Sequence, residues 1–340
     1  MKTTLSTENI KSFGGLNFLT KEFDDLNLPE LIAKHLGSRS VFSKFSFSDM
    51  IKNLMAITFA GGDCAEDIQS NLKDELSQIR GLNLCSADTI LRLQKDLSLQ
   101  KETHLSKANV VNEFSKNDKL NALNLDFLIS SKALINKRLY DFDFDNQFIS
   151  NEKFDSKKSY KMKTGYFPGV ATIGRFIVYF ENRNGNSNVK FKQAESLQTA
   201  YDLLKTKHIN IDRSRMDCGS FTKEIVNVVE QNSKRFYIRA QRCEELLSQL
   251  KDVTTWKTER IGLFDVEICD LEYAPFGEKK KYRYVVSREK NKTGQTDFFT
   301  NDRFIYRAIA SNDMVSSNQE IIEYYNKRGA CEKIFDEMNN

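Results

Sequence analysis

The stretch Tyr140-Asp141-Phe142-Asp143-Phe144-Asp145 sets an aromatic ring against a carboxylate at every other residue. A period of two belongs to a β-strand with one buried and one polar face, so a strand is predicted over 139–148. Tyr140, Phe142 and Phe144 then enter the core, and Asp141, Asp143 and Asp145 project together from the opposite face. Three like charges on one face repel unless a cation sits among them. A magnesium-type ion takes hard oxygen ligands, which makes this strand one wall of a metal site, with any of the three aspartates as its ligand. An ordinary acidic edge strand would show the same spacing.

The length of 340 residues suggests about two domains of ~150 residues each. With 51 basic and 47 acidic side chains the net charge is only +4, so a surface for a polyanion has to come from local clusters. No apolar run approaches the ~20 residues of a membrane span and no signal-peptide core opens the chain, which predicts a cytoplasmic protein without a membrane partner. The six cysteines form no Cys-x-x-Cys pair and the three histidines are scattered, which argues against a zinc site and a disulfide framework. Glycine-rich phosphate loops are also missing from the sequence.

Residues 1–120 read as helical. Pro29 suits a first turn, a second helix runs from Ser48 to the Gly61-Gly62 break, and a third spans 64–76. Ser86 caps a further helix that carries Ile90, Leu91 and Leu93 inward and leaves Thr89, Arg92, Gln94 and Lys95 outside, where they could meet a DNA groove. Strands follow at 122–128 and 139–148, then a basic stretch with Lys153, Lys157, Lys158 and Lys163 among Phe154, Tyr166 and Phe167, a mixture suited to phosphate contacts. Strands at 175–180 and 189–191 complete a meander with the central one. Next come a helix at 195–204, a strand at 208–216, a helix at 222–230 capped by Ser220, and a strand at 234–240. Asp217 thereby falls at the carboxyl end of a strand, the usual place for functional groups in an α/β sheet. Residues 241–311 form a β-rich insertion with paired strands at 261–268 and 282–286 and the only tryptophan, Trp256. A last helix over 318–340 lines up Tyr325, Arg328 and Glu332 along one face.

This order of parts resembles the DDE transposases of bacterial insertion sequences, in the branch marked by Tyr-x2-Arg-x3-Glu-x6-Lys. The resemblance is carried by Ala87-Asp88-Thr89-Ile90-Leu91-Arg92, Asp143-Phe144-Asp145-Asn146-Gln147, Gly165-Tyr166-Phe167-Pro168-Gly169 and Arg183-Asn184-Gly185-Asn186. Its most specific parts are Arg215-Met216-Asp217-Cys218-Gly219-Ser220-Phe221 and Tyr325-Asn326-Lys327-Arg328-Gly329-Ala330-Cys331-Glu332. It implies an α/β, ribonuclease-H-like mixed sheet flanked by helices over 121–340, the β-rich insertion at 241–311, and an all-helical DNA-binding domain over 1–120. It also implies a DNA transposase with Asp145, Asp217 and Glu332 as the catalytic and metal-binding triad, using Mg2+ with Mn2+ able to substitute. Asp145 is preferred to Asp143 because it lies nearest the strand's end and has the polar Gln147 two residues on, where the family has threonine or serine. By the same resemblance Tyr325 and Arg328 bind phosphates of the transposon end, and Trp256 stacks on a base flipped during a hairpin step. Lys157, Lys158 and Arg92 add DNA contacts. Double-stranded DNA, both terminal inverted repeats and target, is the implied partner of a homodimer.

One departure stands out. The lysine of the signature falls on Asn339, one residue before the sequence stops, which suggests a C-terminally truncated copy that binds ends and inhibits transposition. A ribonuclease-H-like nuclease without a transposition role is the remaining alternative.

Overall fold

Proline lacks an amide hydrogen, so within a helix it suits the opening turn, and Pro29 stands there at the start of its helix. The computed structural model describes residues 12–98, 101–106, 109–159, 162–277, 279–290 and 304–330. The chain divides into two units, Met1–Gln100 with Asn117–Leu134, and Lys101–Lys116 with Ile135–Asn340. In the first lie α1 (Leu16–Asp25), α2 (Leu28–Leu36), α3 (Phe47–Phe59), the single turns α4 (Asp67–Ser70) and α5 (Lys73–Leu76), α6 (Ala87–Leu97) and α7 (Asp118–Ser130). A capping box opens α3: Ser46 Oγ accepts from the Asp49 amide and the Asp49 carboxylate accepts from the Ser46 amide. Ser86 caps α6 through the amide of Thr89. Ile90 and Leu93 of α6 are buried, but Leu91 is exposed, contrary to the inward position expected from spacing. Ala56, Ile57, Ile68, Leu76 and Ile90 pack into one core. Beside them the buried Asn53 donates to the carbonyls of Asp49 and Asn83 and accepts from the Cys85 amide, so this polar group is satisfied.

Two stretches of this unit fold otherwise than their spacing predicts. Residues 64–76 break into α4 and α5, because the Asp67 carboxylate takes the amides of Asp63 and Cys64 and the Asn71 side chain, local bonds that compete with a longer helix. Residues 122–128, expected as a strand, form the middle of α7. Asn117 caps that helix by accepting from the Leu120 amide, and Leu125 and Leu128, three residues apart, bury their side chains.

The second unit begins with a hairpin, β1 (Glu102–Leu105) and β2 (Val111–Ser115), inside the stretch read as helical. After β3 (Leu139–Asn146) come β4 (Ile149–Ser150), β5 (Lys157–Lys158) and β6 (Thr164–Tyr166), then β7 (Gly169–Ile173), β8 (Phe176–Arg183), α8 (Gln193–Thr206), β9 (Asn210–Met216), α9 (Lys223–Asn232) and β10 (Ser233–Arg239). α10 (Glu244–Asp252), β11 (Lys257–Ile261), β12 (Phe264–Tyr273), β13 (Tyr282–Lys290), β14 (Phe304–Ser311) and α11 (Asn318–Asn326) complete it. Eleven strands form one mixed sheet in the order β1-β2-β8-β7-β3-β9-β10-β14-β13-β12-β11, and β4, β6 and β5 form a small separate one. β8, β7 and β3 are an antiparallel meander, and β9 and β10 run parallel to β3. Residues 189–191 form a turn, so the meander's other strand is β7. All five β7 residues are buried, which removes the alternation by which a one-faced strand is read. β14 pairs antiparallel with β10, so the β-rich strands extend the same sheet.

Helices cover both faces. Phe142 and Phe144 bury their rings toward α8, where Tyr201 lies 4.6 Å from Phe142 and meets Ser214 Oγ at 2.9 Å. On the other face Ile321 and Ile322 of α11 pack with Tyr237, Val266, Val285 and Ile309. On β8 a fully buried ion pair joins Glu181 and Arg183. Gly169 gives it room: a Cβ there would stand 2.5 Å from Glu181 Oε1. Among the described residues no helix is long and apolar enough to cross a membrane.

Candidate active site

The acidic face of β3 meets a ladder of arginines. In the parallel register Asp141 lies opposite Arg213 and Asp143 opposite Arg215. Arg213 donates to both oxygens of Asp141 at 2.8 Å, and Arg215 to both oxygens of Asp143 at 2.7 Å. Tyr324 of α11 fixes the two guanidinium groups, its ring centre 4.0 Å from Arg213 and 4.5 Å from Arg215, and its carbonyl accepts from Arg215 Nη1 at 2.8 Å. Charge repulsion along the strand is therefore relieved by the protein itself at its first two aspartates. Arg213 and Tyr324 carry no role in the sequence reading, and Arg215 stands there only as part of the motif around Asp217. Their signal was there, since Arg213-Ser214-Arg215 repeats the period of two found in Asp141-Phe142-Asp143.

One step further along, the pattern changes. Phe144 pairs with Met216, which leaves Asp145 beside Asp217 at the carboxyl ends of β3 and β9. Asp217 opens a short 3-10 turn, Cys218–Ser220, its Oδ1 accepting from the amide and hydroxyl of Ser220, each at 3.2 Å. Ser220 thus belongs to this turn, and the cap of α9 is Thr222, which accepts from the Ile225 amide. Asp145 Oδ1 accepts from the Asn146 amide at 2.9 Å, and its Oδ2 is bonded by Arg328. Burial pushes the Asp145 carboxyl up to about 6, against the pull of Arg328 and with the charge of Asp217 adding to the rise. Both aspartates are tied to the segment that carries α11: besides the Arg328 bond, the Tyr325 hydroxyl donates to the Met216 carbonyl, one residue before Asp217, at 3.1 Å.

α11 ends at Asn326 and a 3-10 turn, Lys327–Ala330, follows, so the single helix expected over 318–340 is interrupted. Glu332 lies outside the described residues. Among those that are described, no group of three or more His, Cys, Asp and Glu side chains could hold a metal ion. Arg92 is exposed on α6, and Lys157 and Lys158 are exposed on β5. The small sheet bearing these lysines rests on the Asn184-Gly185 turn, where a Cβ on Gly185 would stand 2.4 Å from the Lys157 carbonyl oxygen. Trp256 is half-buried in the β-rich region: Arg288 lies 4.1 Å from its ring centre, and its Nε1 donates to the Val253 carbonyl.

Asp313 sets the start of α11. Its buried carboxylate accepts from the hydroxyls of Tyr237 (2.6 Å) and Ser316 (2.7 Å) and from the amides of Val315 and Ser316. Burial works against the charge, but these donors prevail and hold the carboxyl well below the usual carboxylate range. A depressed value stabilises the fold above the ordinary carboxylate value of 3.8, and that stabilisation is lost as pH falls below it. Asp313→Asn should cost about 2 kcal/mol near neutral pH. In urea unfolding at stepped pH, the gap to the parent should stay constant above pH ~5 and narrow in acid. A gap independent of pH would disprove the role given to this charge.

A family model described as "Transposase DDE domain group 1" matches residues 1–340. No curated protein matches the chain. Among solved structures, the piggyBac transposase synaptic complex with hairpin DNA is similar at 11% identity and a TM-score of 0.45, over 95% of this chain and 67% of that one. The Drosophila P element transposase strand transfer complex is similar at 11% identity and a TM-score of 0.29, over 74% of this chain and 53% of that one. With two aspartates side by side at the ends of parallel strands and a family match over its whole length, the chain belongs to the group 1 family of transposase DDE domains.

Proposed function

We propose that the chain is a DNA transposase of the bacterial insertion-sequence kind, which cuts transposon ends and joins them to target DNA. The observation that carries this is the change of pairing along β3: strand-borne arginines close Asp141 and Asp143 through both oxygens, whereas Asp145 has another carboxylate, Asp217, beside it and a single bond from Arg328. The order β8-β7-β3-β9-β10, three strands antiparallel and two parallel, supports the ribonuclease-H-like reading of the sheet core. In this reading the helical unit, Met1–Gln100 with Asn117–Leu134, is the DNA-binding domain expected over 1–120, and the sheet unit, Lys101–Lys116 with Ile135–Asn340, is the catalytic domain expected over 121–340.

Asp145 and Asp217 fit a magnesium or manganese site in donor type, since carboxylate oxygens are the hard ligands such ions take and a divalent cation relieves their mutual repulsion. They would hold it together with Glu332. A divalent ion bound there supplies Lewis-acid stabilisation of the charge that builds on the attacking and leaving oxygens of phosphoryl transfer. Tyr325 keeps the strand end at Met216, and with it Asp217, in register beside Asp145. Lys157, Lys158 and Arg92 lie exposed for phosphate contacts on duplex DNA. Trp256 serves as a base-stacking ring only if Arg288 leaves it. A homodimer acting in the bacterial cytoplasm completes the proposal.

The test is cleavage of a labelled duplex carrying the element's own end, with magnesium or manganese, by the parent chain and by Glu332→Gln. Cutting by the parent alone is the expected result. Equal cutting by both would remove Glu332 from the site. Binding without cutting by either would make the chain an end-binding protein that restrains transposition.

A further inference from the structure

We propose that Arg328 is an internal cation that holds Asp145 until a DNA phosphate draws it away, so that metal binding and DNA binding are coupled through this one side chain. The inference rests on the reading of Asp145 and Asp217 as metal ligands. Three arginines answer the three aspartates of β3, and they are held differently. Arg213 and Arg215 each bond both oxygens of their partner, and Tyr324 covers both and takes a further bond from Arg215. Arg328 bonds one oxygen of one carboxylate, and it sits on the 3-10 turn that follows α11 instead of in a strand. It is the arginine of the three that can change partner by giving up a single hydrogen bond.

Competition for the oxygen gives the coupling its sign. Asp145 Oδ1 is taken by an amide and Oδ2 by Arg328, so a cation reaching Asp145 must displace the guanidinium or share its oxygen. Asp217 has no ion pair among the described residues, and the two aspartates with Arg328 carry a net charge of −1. A divalent ion added without release of Arg328 would press like charges together in a shielded place, where Asp145 is 25% and Arg328 17% exposed. Released, the guanidinium stands at the strand ends, and its planar fork suits phosphate oxygens. A phosphate that captures Arg328 therefore uncovers Asp145 for metal. By linkage, metal at Asp145 raises affinity for DNA by the same factor.

The experiment is Mn2+ binding to the full chain, followed by the magnetic resonance signal of free Mn2+, alone and with a short duplex, subtracting a protein-free duplex blank. Without DNA, Arg328→Ala should bind Mn2+ about 10-fold more tightly than the parent. The duplex should tighten parent binding by a similar factor and leave the variant nearly unchanged. Arg328→Gln, which keeps a hydrogen-bond donor without charge, should follow Arg328→Ala and guards against a folding defect. Parent-like Mn2+ affinity in both variants would overturn the coupling. Mn2+ binding that Asp145→Asn does not weaken would instead remove the carboxylate site on which it rests, so the two failures are distinguishable.

Discussion

Asp217→Asn will lose metal-dependent strand cleavage by about 1,000-fold or more while retaining duplex binding. The substitution keeps the shape of the side chain and one acceptor oxygen for Ser220, so the 3-10 turn survives; what disappears is the charge facing Asp145. Asp145→Asn should lose cleavage equally. Asp143→Asn should behave differently, because Asp143 is 5% exposed and Arg215 grips both of its oxygens, a two-bond buried pair that a metal would have to break whole. Its loss should show first as lower stability, with cleavage by the folded fraction retained. Single-turnover cleavage beside unfolding curves for the three variants separates these effects. If Asp143→Asn abolished cleavage at parental stability, the choice of Asp145 over Asp143 would fall.

The second large effect concerns Arg215. Its side chain is 10% exposed and that of Asp143 5%, so removing the guanidinium strands a carboxylate in a place water hardly reaches. Breaking a buried pair from one side costs about 3–5 kcal/mol, a large share of the 5–15 kcal/mol that holds a typical domain together. Arg215→Met should therefore shift the urea midpoint sharply downward. Asp143→Leu combined with Arg215→Met should recover much of the loss, since the stranded charge is gone and the volumes are roughly kept. A double variant no more stable than Arg215→Met would mean that the contacts of Arg215 with Tyr324 matter more than its charge.

Both expectations depend on how far a sequence can be read. The central strand was legible because β3 has two unlike faces and wrote that difference into every second residue. β7 was missed because both its faces are buried, and β1 and β2 because each is too short for a period to develop. The run at 122–128 failed for another reason: a brief apolar stretch fits a strand or a helix, and the cap at Asn117 decided it. Asp217 was placed correctly because the strand predicted over 208–216 ends at Met216, as β9 does. The arginine ladder shows the limit most clearly. Arg213 and Arg215 carry the right period, but which aspartate each one meets depends on the register between strands 72 residues apart, and neither strand records that alone.

The ties between α11 and the strand ends also have a meaning in the time order of synthesis. Tyr325 reaches back 109 residues to Met216, and Arg328 reaches back 183 residues to Asp145. A chain leaving the ribosome can build the meander, β9 and β10 well before either partner exists, and in that interval the two carboxylates stand without their guanidinium and without the tyrosine that fixes their spacing. Contacts of such sequence separation carry a large loop-closure entropy, which must be met before the contact repays it. The strands that carry the two carboxylates are therefore synthesised well before the side chains that complete the centre, which separates the makings of a shape from the makings of a chemistry.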